Sequence, residues 1–212
     1  IYSPNINVLD RDSNTEVLTP VEGKIASAFV YTWQNFDPWY APAGFTRGQI
    51  DAISLNKTFN KEEMDYLYDN NINPIRTVPG FGFVIWGQKT RHGIDSALDR
   101  VNVRMLTIAS MPRVLRYLDR YATFEFNSDS TRSAIKVSLD NMWSVIKTRN
   151  GVYDFLVVCD KTNNPDSVID ANELYVDLYI KPTKSVEFIK FRTTITKTGA
   201  NLTAIASANT AA

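Results

Sequence analysis

The spacing of apolar positions predicts helices in the first two thirds of the chain. In residues 21–35, apolar side chains recur at helical intervals after a proline, which predicts an amphipathic helix. A longer stripe from Leu98 to Ala122 advances in steps of three and four, which is typical of one helix face. Pro112 interrupts this stripe, and its missing amide donor predicts a kink or a break near Ala109 to Met111.

Two further helices are indicated by capping signals. Asn60 and Glu63 have the spacing of a capping box and predict the start of a short helix. Ser128 to Ser130 predict the start of a second helix, with an apolar stripe that continues to Ile146 and a stop at Gly151.

In four other segments, the spacing of apolar residues is typical of β-strands. Residues 74–78 and 81–86 predict two strands, or one strand bent at Pro79-Gly80. Residues 153–159 are nearly all apolar, which predicts a central strand buried on both faces. Residues 173–181 alternate strictly, and this alternation directs four side chains inward: Leu174, Val176, Leu178 and Ile180.

A last apolar run at 185–195 also alternates, but Val186 and Phe188 have one parity while Ile189 and Phe191 have the other. A register change between Phe188 and Ile189 would bury both pairs. The connection at 182–184 is short, so this run is predicted to form an antiparallel hairpin with the preceding strand.

The pattern as a whole predicts an α+β fold, with a mixed β-sheet flanked by helices and with extended N- and C-terminal arms. The first residues are polar and predict an extended segment outside the core. The last residues are rich in Ala, Thr and Asn and predict a flexible arm. The predicted organisation is an N-terminal segment at 1–20, a body at 21–196 with possible subdomains at 21–95 and 96–196, and a C-terminal arm at 197–212.

Composition and charge limit the classes of partner that can be expected for this chain. The 212 residues include 44% hydrophobic residues, enough for a packed core, while 23 basic and 23 acidic residues cancel. No like-charge run indicates a nucleic-acid or membrane surface, so neither is expected as a partner. Cys159 is the sole cysteine, which excludes an internal disulfide. The chain begins without Met, and we expect it to be part of a longer protein.

The stretch GFGFVIWGQKT, Gly80 to Thr90, raises the question of a phosphate-binding loop. A dinucleotide loop needs a third glycine at the sixth position and a following helix, but Ile85 stands there and a strand-like run follows Gly82. The glycines are therefore interpreted as structural residues at strand ends.

The other candidate catalytic or metal-binding residues have little support in the sequence. His92 is the sole histidine, and it is interpreted as a loop residue, although a spatially assembled triad stays open. Cys159 ends an apolar strand and is interpreted as a buried thiol. The acidic loop at 160–173 lacks the EF-hand spacing, so a solvated loop is favoured over a calcium site. No catalytic residue, cofactor or metal is therefore expected.

Four aromatic residues around a Pro-rich loop offer a possible sugar-stacking platform: Trp33, Phe36, Trp39 and Tyr40. Aromatic residues that follow an amphipathic helix more often cap a core, which is the favoured interpretation.

Several motifs in order resemble the C-terminal part of contractile-tail sheath proteins of bacteriophages. They are an A-P-A loop after a small-residue helix, N-x-I-R before G-x-G-x-x-x-W-G-x-x-T, V-N-V-R-x-L, F-E-x-N, C-D-x-x-T-N and E-F-I. The resemblance spans most of residues 22–192. Met105 and Phe126 depart from common family residues, Arg and Pro respectively, and suggest a divergent branch, perhaps a large-genome phage.

The resemblance implies a mechanical, non-enzymatic function. Sheath subunits polymerise helically around an inner tail tube and contract to drive the tube through the host envelope. The implied partners are other copies, the tube protein, the baseplate and the tail terminator, and the implied location is the virion tail, assembled in the host cytoplasm. A sheath of a phage-tail-like or type VI secretion system stays open, as do a carbohydrate-binding module and a hydrolase-like enzyme.

In that family, terminal arms add strands to the sheets of neighbouring subunits. The resemblance therefore assigns intersubunit strand and arm candidates: Val8, Leu9, Val186, Phe188, Ile189, Phe191, Thr193, Ile195 and Leu202. Disordered tails at both ends of the chain are the alternative. It also assigns structural motif residues: Pro42, Gly80, Gly82, Trp86, Gly87 and Arg104.

Overall fold

A computed structural model describes residues 1–92 and 96–189. Among these residues it contains short strands grouped in three sheets and helices that pack beside them. The helices are α1 (Glu22–Asn35), α2 (Gly44–Arg47), α3 (Lys61–Asp69), α4 (Val101–Tyr121), α5 (Asp129–Thr148) and α6 (Asp166–Asp170). The strands are β1 (Tyr2–Ser3), β2 (Ile6–Asp10), β3 (Thr15–Thr19), β4 (Gln49–Ile50), β5 (Ser54–Leu55), β6 (Asn73–Val78), β7 (Gly82–Ile85), β8 (Val152–Val158) and β9 (Asp177–Pro182).

The largest sheet has the order β1-β6-β7-β4 and is mixed, because β1 pairs parallel to β6 while the other pairs are antiparallel. A second sheet has the order β3-β2-β5, and the third is the antiparallel pair β8-β9. The predicted α+β class with a mixed sheet flanked by helices is confirmed.

The predicted helix starts are confirmed by their hydrogen bonds. Asn60 accepts from the backbone of Glu63 at 2.8 Å, and the Glu63 carboxylate accepts from the backbone of Asn60 at 3.0 Å. Ser128 caps α5 by accepting from the backbone of Thr131. These bonds satisfy amide donors that have no partner inside the helix.

Helix α4 runs unbroken through Pro112, so the predicted break into two helices is wrong. The reason is packing, since Leu106 and Val114 on either side of the proline are both buried in the same core. Burial on both sides holds the helical path despite the missing backbone hydrogen bond.

The interpretation of the first residues as an extended segment outside the core needs a correction. Strands β2 and β3 form a hairpin within the chain, with Val8 opposite Val17 and Leu9 opposite Glu16. Ile6 is 1% exposed and packs with α1 and β6. The polar composition of the first residues does not reveal this hairpin, because the core covers only one face of the hairpin base.

Strand β8 also differs from the prediction of burial on both faces. Tyr153 and Leu156 are each 54% exposed, because a two-stranded sheet is covered on one face only. The inward alternation predicted for residues 173–181 is confirmed, since Leu174, Val176, Leu178 and Ile180 pack against the core while Tyr179 is exposed, although only Asp177–Pro182 form β9.

The predicted hairpin between β9 and the run at 185–195 is wrong for the part that the structure describes. Residues 183–189 form no strand, and Val186, Phe188 and Ile189 are exposed. The carboxylate of Glu187 instead accepts hydrogen bonds from the side chains of Gln88 and Arg100, which hold this segment on the body.

Two buried clusters hold the fold. The first joins α1 to the mixed sheet through Val21, Ile25, Ile75 and Ile85. The second joins α4, α5 and β8 around Trp143, and it also includes Trp39 from the loop after α1. Trp39 fixes that loop through a 2.9 Å bond from Nε1 to the Arg149 carbonyl.

Replacing Gly151 by alanine should destabilise the protein by about 1–3 kcal/mol, because an added Cβ overpacks the core. That Cβ would lie 2.5 Å from Cγ2 of Ile146 and 3.1 Å from the Trp39 ring. The left-handed residue at this helix end is Asn150, with φ 60°, so the close approach is what requires glycine. Urea unfolding measures the loss.

Gly23→Ala is the matched control, because no atom lies within 4 Å of its added Cβ. Alanine also suits a helix better than glycine, so this control should be neutral or stabilising by up to about 1 kcal/mol. Equal losses in the two variants would contradict the packing argument.

Candidate functional site

The glycine stretch at 80–90 forms a turn between strands, as the sequence predicts. Gly80 and Gly82 have φ of 81° and 77°, a region that favours glycine, and they connect β6 to β7. An added Cβ on Gly87 would lie 2.7 Å from Oδ1 of Asn73, so this glycine permits a close approach between chain segments. The stretch leads into a strand and presents no helix N-terminus to a phosphate.

The remaining motif residues also have contacts inside the body. Pro42 is buried, and Arg104 donates from Nε to the Leu98 carbonyl at 2.8 Å. Trp86 lies under the Arg76 guanidinium, whose Cζ is 3.3 Å from the ring centroid. Asn73 of the N-x-I-R motif is fully buried and bonds through its amide to the backbone of Ile1 and Lys89. Packing and hydrogen bonds of this kind are structural contacts, and they involve no reactive group.

The candidate catalytic residues have ordinary surroundings. The backbone of His92 donates to Thr90 Oγ1 at 3.3 Å, which places the residue in a local turn. Cys159 is 2% exposed, and burial raises the pKa of its thiol, which disfavours the thiolate. Within residues 1–92 and 96–189, no group of three or more His, Cys, Asp or Glu side chains could hold a metal ion.

A buried asparagine orders the loop at 160–173. Asn164 is fully buried, accepts from the Tyr175 backbone at 2.7 Å and donates to the Tyr175 carbonyl at 2.9 Å. The Asp160 carboxylate accepts from the backbone and the hydroxyl of Thr162. The C-D-x-x-T-N motif thus closes a loop onto the start of β9.

The four aromatic residues do not form one platform. Trp39 is buried in the core, whereas Trp33 is 46% exposed on α1. Phe36 and Tyr40 pack on each other with ring centroids 5.9 Å apart. Burial of Trp39 removes the stacking surface that a sugar-binding hypothesis requires of it.

The β8-β9 sheet is the surface best suited to contact another chain. Each of its strands has an outer edge with no strand partner among the described residues. Leu156 and Tyr179 lie opposite each other and are 54% and 60% exposed, so the uncovered face is apolar. Unpaired edges beside an apolar face favour addition of a strand.

The arm candidates are distributed between two regions. Val8 and Leu9 lie in β2, and Val186, Phe188 and Ile189 lie in the strandless segment after β9. The other candidates fall outside the described residues: Phe191, Thr193, Ile195 and Leu202. The intersubunit role of all of them stays a prediction.

Sequence analysis missed the contacts of Glu187. Its carboxylate accepts from Gln88 Nε2 at 3.0 Å, from Arg100 Nε at 2.8 Å and from the Tyr68 hydroxyl. Burial and this bond raise the pKa of Tyr68. The only signal in the sequence is a single acidic residue inside the apolar run SVEFIKF.

Among the described residues, no helix is both long and apolar enough to cross a membrane. The exposed features are instead sheet edges and apolar side chains on helices and strands. Sheet edges and exposed apolar side chains of this kind are suited to contacts with other protein chains.

Comparison with known proteins identifies the family. Residues 95–196 match the family model of the phage tail sheath C-terminal domain. The chain is 41% identical over 197 residues to the tail sheath protein of Vibrio phage KVP40, covering 92% of this chain and 29% of the relative. It is 35% identical over 193 residues to that of Enterobacteria phage T4, covering 91% and 29%. The chain is thus a phage tail sheath relative, and it spans less than a third of the length of these proteins.

Solved structures share the fold. The helical sheath of the anti-feeding prophage in its contracted state matches with a TM-score of 0.79 at 22% identity, over 91% of this chain and 54% of that one. The contracted PVC sheath of an extracellular contractile injection system matches with a TM-score of 0.78 at 21% identity, over 91% and 55%. These structures show the shared fold, while the family model and the two phage relatives confirm the resemblance predicted from the motifs.

Proposed function

We propose that this chain is part of a structural subunit of a contractile phage tail sheath. In this function, copies polymerise helically around an inner tail tube and contract to drive the tube through the host envelope. The identity to sheath proteins of two phages supports the proposal. The work is mechanical, so it requires neither an active site nor a cofactor.

The observation that carries the proposal is the β8-β9 sheet with its two outer edges and its apolar outer face. A strand from a neighbouring copy that pairs with an edge would gain main-chain hydrogen bonds and cover exposed apolar side chains. Main-chain pairing also holds while the bodies rotate, provided that the connecting segment bends outside the paired residues.

The stretch from Thr193 onward is the arm that we propose for this pairing. It follows the exposed segment with Val186, Phe188 and Ile189, which has no strand partner among the described residues. Val8 and Leu9 contribute differently, because their hairpin places β3 at the edge of its own sheet. The N-terminal contact is therefore proposed to use a folded hairpin.

The proposed partners follow from this function. They are further copies of the protein, the inner tail tube protein, the baseplate and the tail terminator. The proposed location is the virion tail, after assembly in the host cytoplasm. Nucleic acid is not among the proposed partners, because basic and acidic residues balance at 23 each.

Deleting Thr193 to Ala212 tests the proposal. The undeleted protein should form tubes visible by negative-stain electron microscopy, whereas the deletion variant should stay monomeric with unchanged far-UV circular dichroism. The point variant Leu156→Asp on β8 should reduce tube formation as well, because it charges the face that an added strand covers. Tubes of normal length from the deletion variant would refute the arm assignment.

A sheath of a phage-tail-like injection system is the second candidate. The structural likeness to two contracted injection-system sheaths favours it. The two candidates share one mechanism and differ in the particle that carries the sheath. Sequence identity of 41% to a phage protein, against 22% for the injection system, supports the phage assignment.

A further inference from the structure

A cavity of about 640 Å³ lies between the loop after α1, helix α3 and the segment after β9. Aromatic rings and cationic side chains line it together. Its size is that of a specific binding site rather than of a packing defect. Among its lining residues are Tyr40, Arg47, Arg76, Trp86 and Lys184.

Two arginines in this wall, Arg47 and Arg76, stack on aromatic rings. Cζ of Arg76 is 3.3 Å from the Trp86 ring centroid, and Cζ of Arg47 is 5.1 Å from that of Tyr40. Burial lowers the pKa of both guanidinium groups, which stay charged. Within the described ranges, no salt bridge joins either of them to a carboxylate. The wall also holds Lys61 and Lys184 against the carboxylates of Asp65 and Glu187, and Glu187 is paired with Arg100, so the cavity carries a net positive charge.

Buried polar atoms without a partner are concentrated in the same wall. In the part of the chain that the structure describes, they include Arg76 Nε, Gln88 Oε1, Asn102 Oδ1 and Thr183 Oγ1. Gln88 is 3% and Asn102 5% exposed. Buried donors and acceptors are nearly always paired in native assemblies, so this wall is suited to a polar occupant. Both donors and acceptors are available, as polypeptide recognition requires.

The β2-β3 hairpin has complementary properties. Asp10 ends β2, Asp12 lies in the turn and Glu16 lies in β3, and Arg11 is the one cationic residue of this hairpin. Residues 11–18 are all exposed. The cross-strand register places Leu9, Glu16 and Leu18 on one face. Leu9 and Leu18 are 49% and 52% exposed, an apolar surface that suits aromatic walls.

We propose that the β2-β3 hairpin of one copy docks into this cavity of a second copy, with its acidic side chains against Arg47 and Arg76. The apolar face of the hairpin covers the aromatic rings. Its backbone N–H and hydroxyl groups donate to Oε1 of Gln88 and Oδ1 of Asn102, the two side-chain oxygens that lack a donor among the described residues. The proposal rests on the assembly function, and it names a contact separate from the β8-β9 edges.

Disulfide trapping tests this contact in the 212-residue chain. Arg11→Cys places a thiol at the hairpin turn of one copy, and Asp65→Cys places one in the cavity wall of another. The native Cys159 is 2% exposed and does not compete. Mixing the two variants under mild oxidation should give a cross-linked heterodimer. Pairing Arg11→Cys with Arg113→Cys, an exposed position on α4, sets the level of random collision.

Charge reversal establishes specificity. Arg76→Glu in the cavity copy should slow cross-linking about tenfold, and Glu16→Lys in the hairpin copy should restore much of the rate. Arg47→Gln provides a second cavity variant if Arg76→Glu unfolds, and Arg113→Gln should have no effect. The proposal would be overturned if cross-linking were no faster than for the Arg113→Cys control, or if substitution of both arginines left the rate unchanged. The cavity would then be filled by water or by another protein. If tubes still form and still need Thr193 to Ala212, only this contact is wrong; if they do not, the assembly function is wrong.

Discussion

Trp143→Ala should lower the free energy of unfolding by about 3–5 kcal/mol, the usual cost of removing a large aromatic side chain from a core. Trp143 is fully buried and lies among side chains from α4, α5 and β8. Its ring centroid is 6.3 Å from that of Phe155. The cavity left by alanine cannot close without moving a helix or the sheet, so little of the loss is recovered.

Urea unfolding followed by far-UV circular dichroism measures this loss. Trp143→Phe separates packing from polarity, because the indole Nε1 is buried and has no acceptor among the described residues. The phenylalanine variant should therefore lose clearly less stability than the alanine variant. Trp33→Ala is the exposed control and should change stability by less than about 1 kcal/mol. A loss below this value for Trp143→Ala would contradict the assignment of this core.

Local signals in the sequence were sufficient for the helix starts and the β6-β7 turn. The capping box of Asn60 and Glu63 and the glycines after Pro79 act over a few residues, so their structure is independent of distant contacts. The inward alternation of β9 was predictable for the same reason, since one face of a strand meets the core.

Elements that depend on distant partners were not predictable. Strand β2 pairs with β5, and that pairing together with burial of Ile6 turns a polar segment into part of the body. In β8, an apolar run indicates burial but does not distinguish a chain's own core from a surface covered in an assembly. If the proposed sheath contact forms, a neighbouring chain covers Leu156 and Tyr153, which are exposed in the single chain.

The contacts of Glu187 show the same limit most clearly, because its partners lie at positions 68, 88 and 100. Three segments remote in sequence thus meet on one carboxylate. Phe188 adds an edge contact with the Tyr68 ring at a centroid distance of 6.0 Å. Since β9 ends at Pro182, this cluster fixes the path of the chain just before the predicted arm.

Glu187→Ala should release the segment 183–189 from the body and destabilise the protein by about 2–3 kcal/mol. A hydrogen bond to a charged group contributes about 1.5–3 kcal/mol, and among residues 1–92 and 96–189 Arg100 would keep a single ionic partner, the adjacent Asp99. Trypsin cleavage after Lys184 measures the release, because a pinned segment fits a protease poorly. The initial rate of cleavage at that bond should rise about tenfold or more.

Two matched variants show whether the carboxylate itself is responsible. Glu187→Gln keeps the shape and an acceptor oxygen but loses the charge opposite Arg100, so it should fall between wild type and alanine. Glu62→Ala, on the exposed side of α3, should leave the cleavage rate unchanged. If all three variants cleaved at the wild-type rate, the path of the segment would not depend on Glu187. If the alanine variant also assembled normally, a fixed departure point for the arm would not be needed for the sheath, and main-chain pairing alone would position the neighbouring copies.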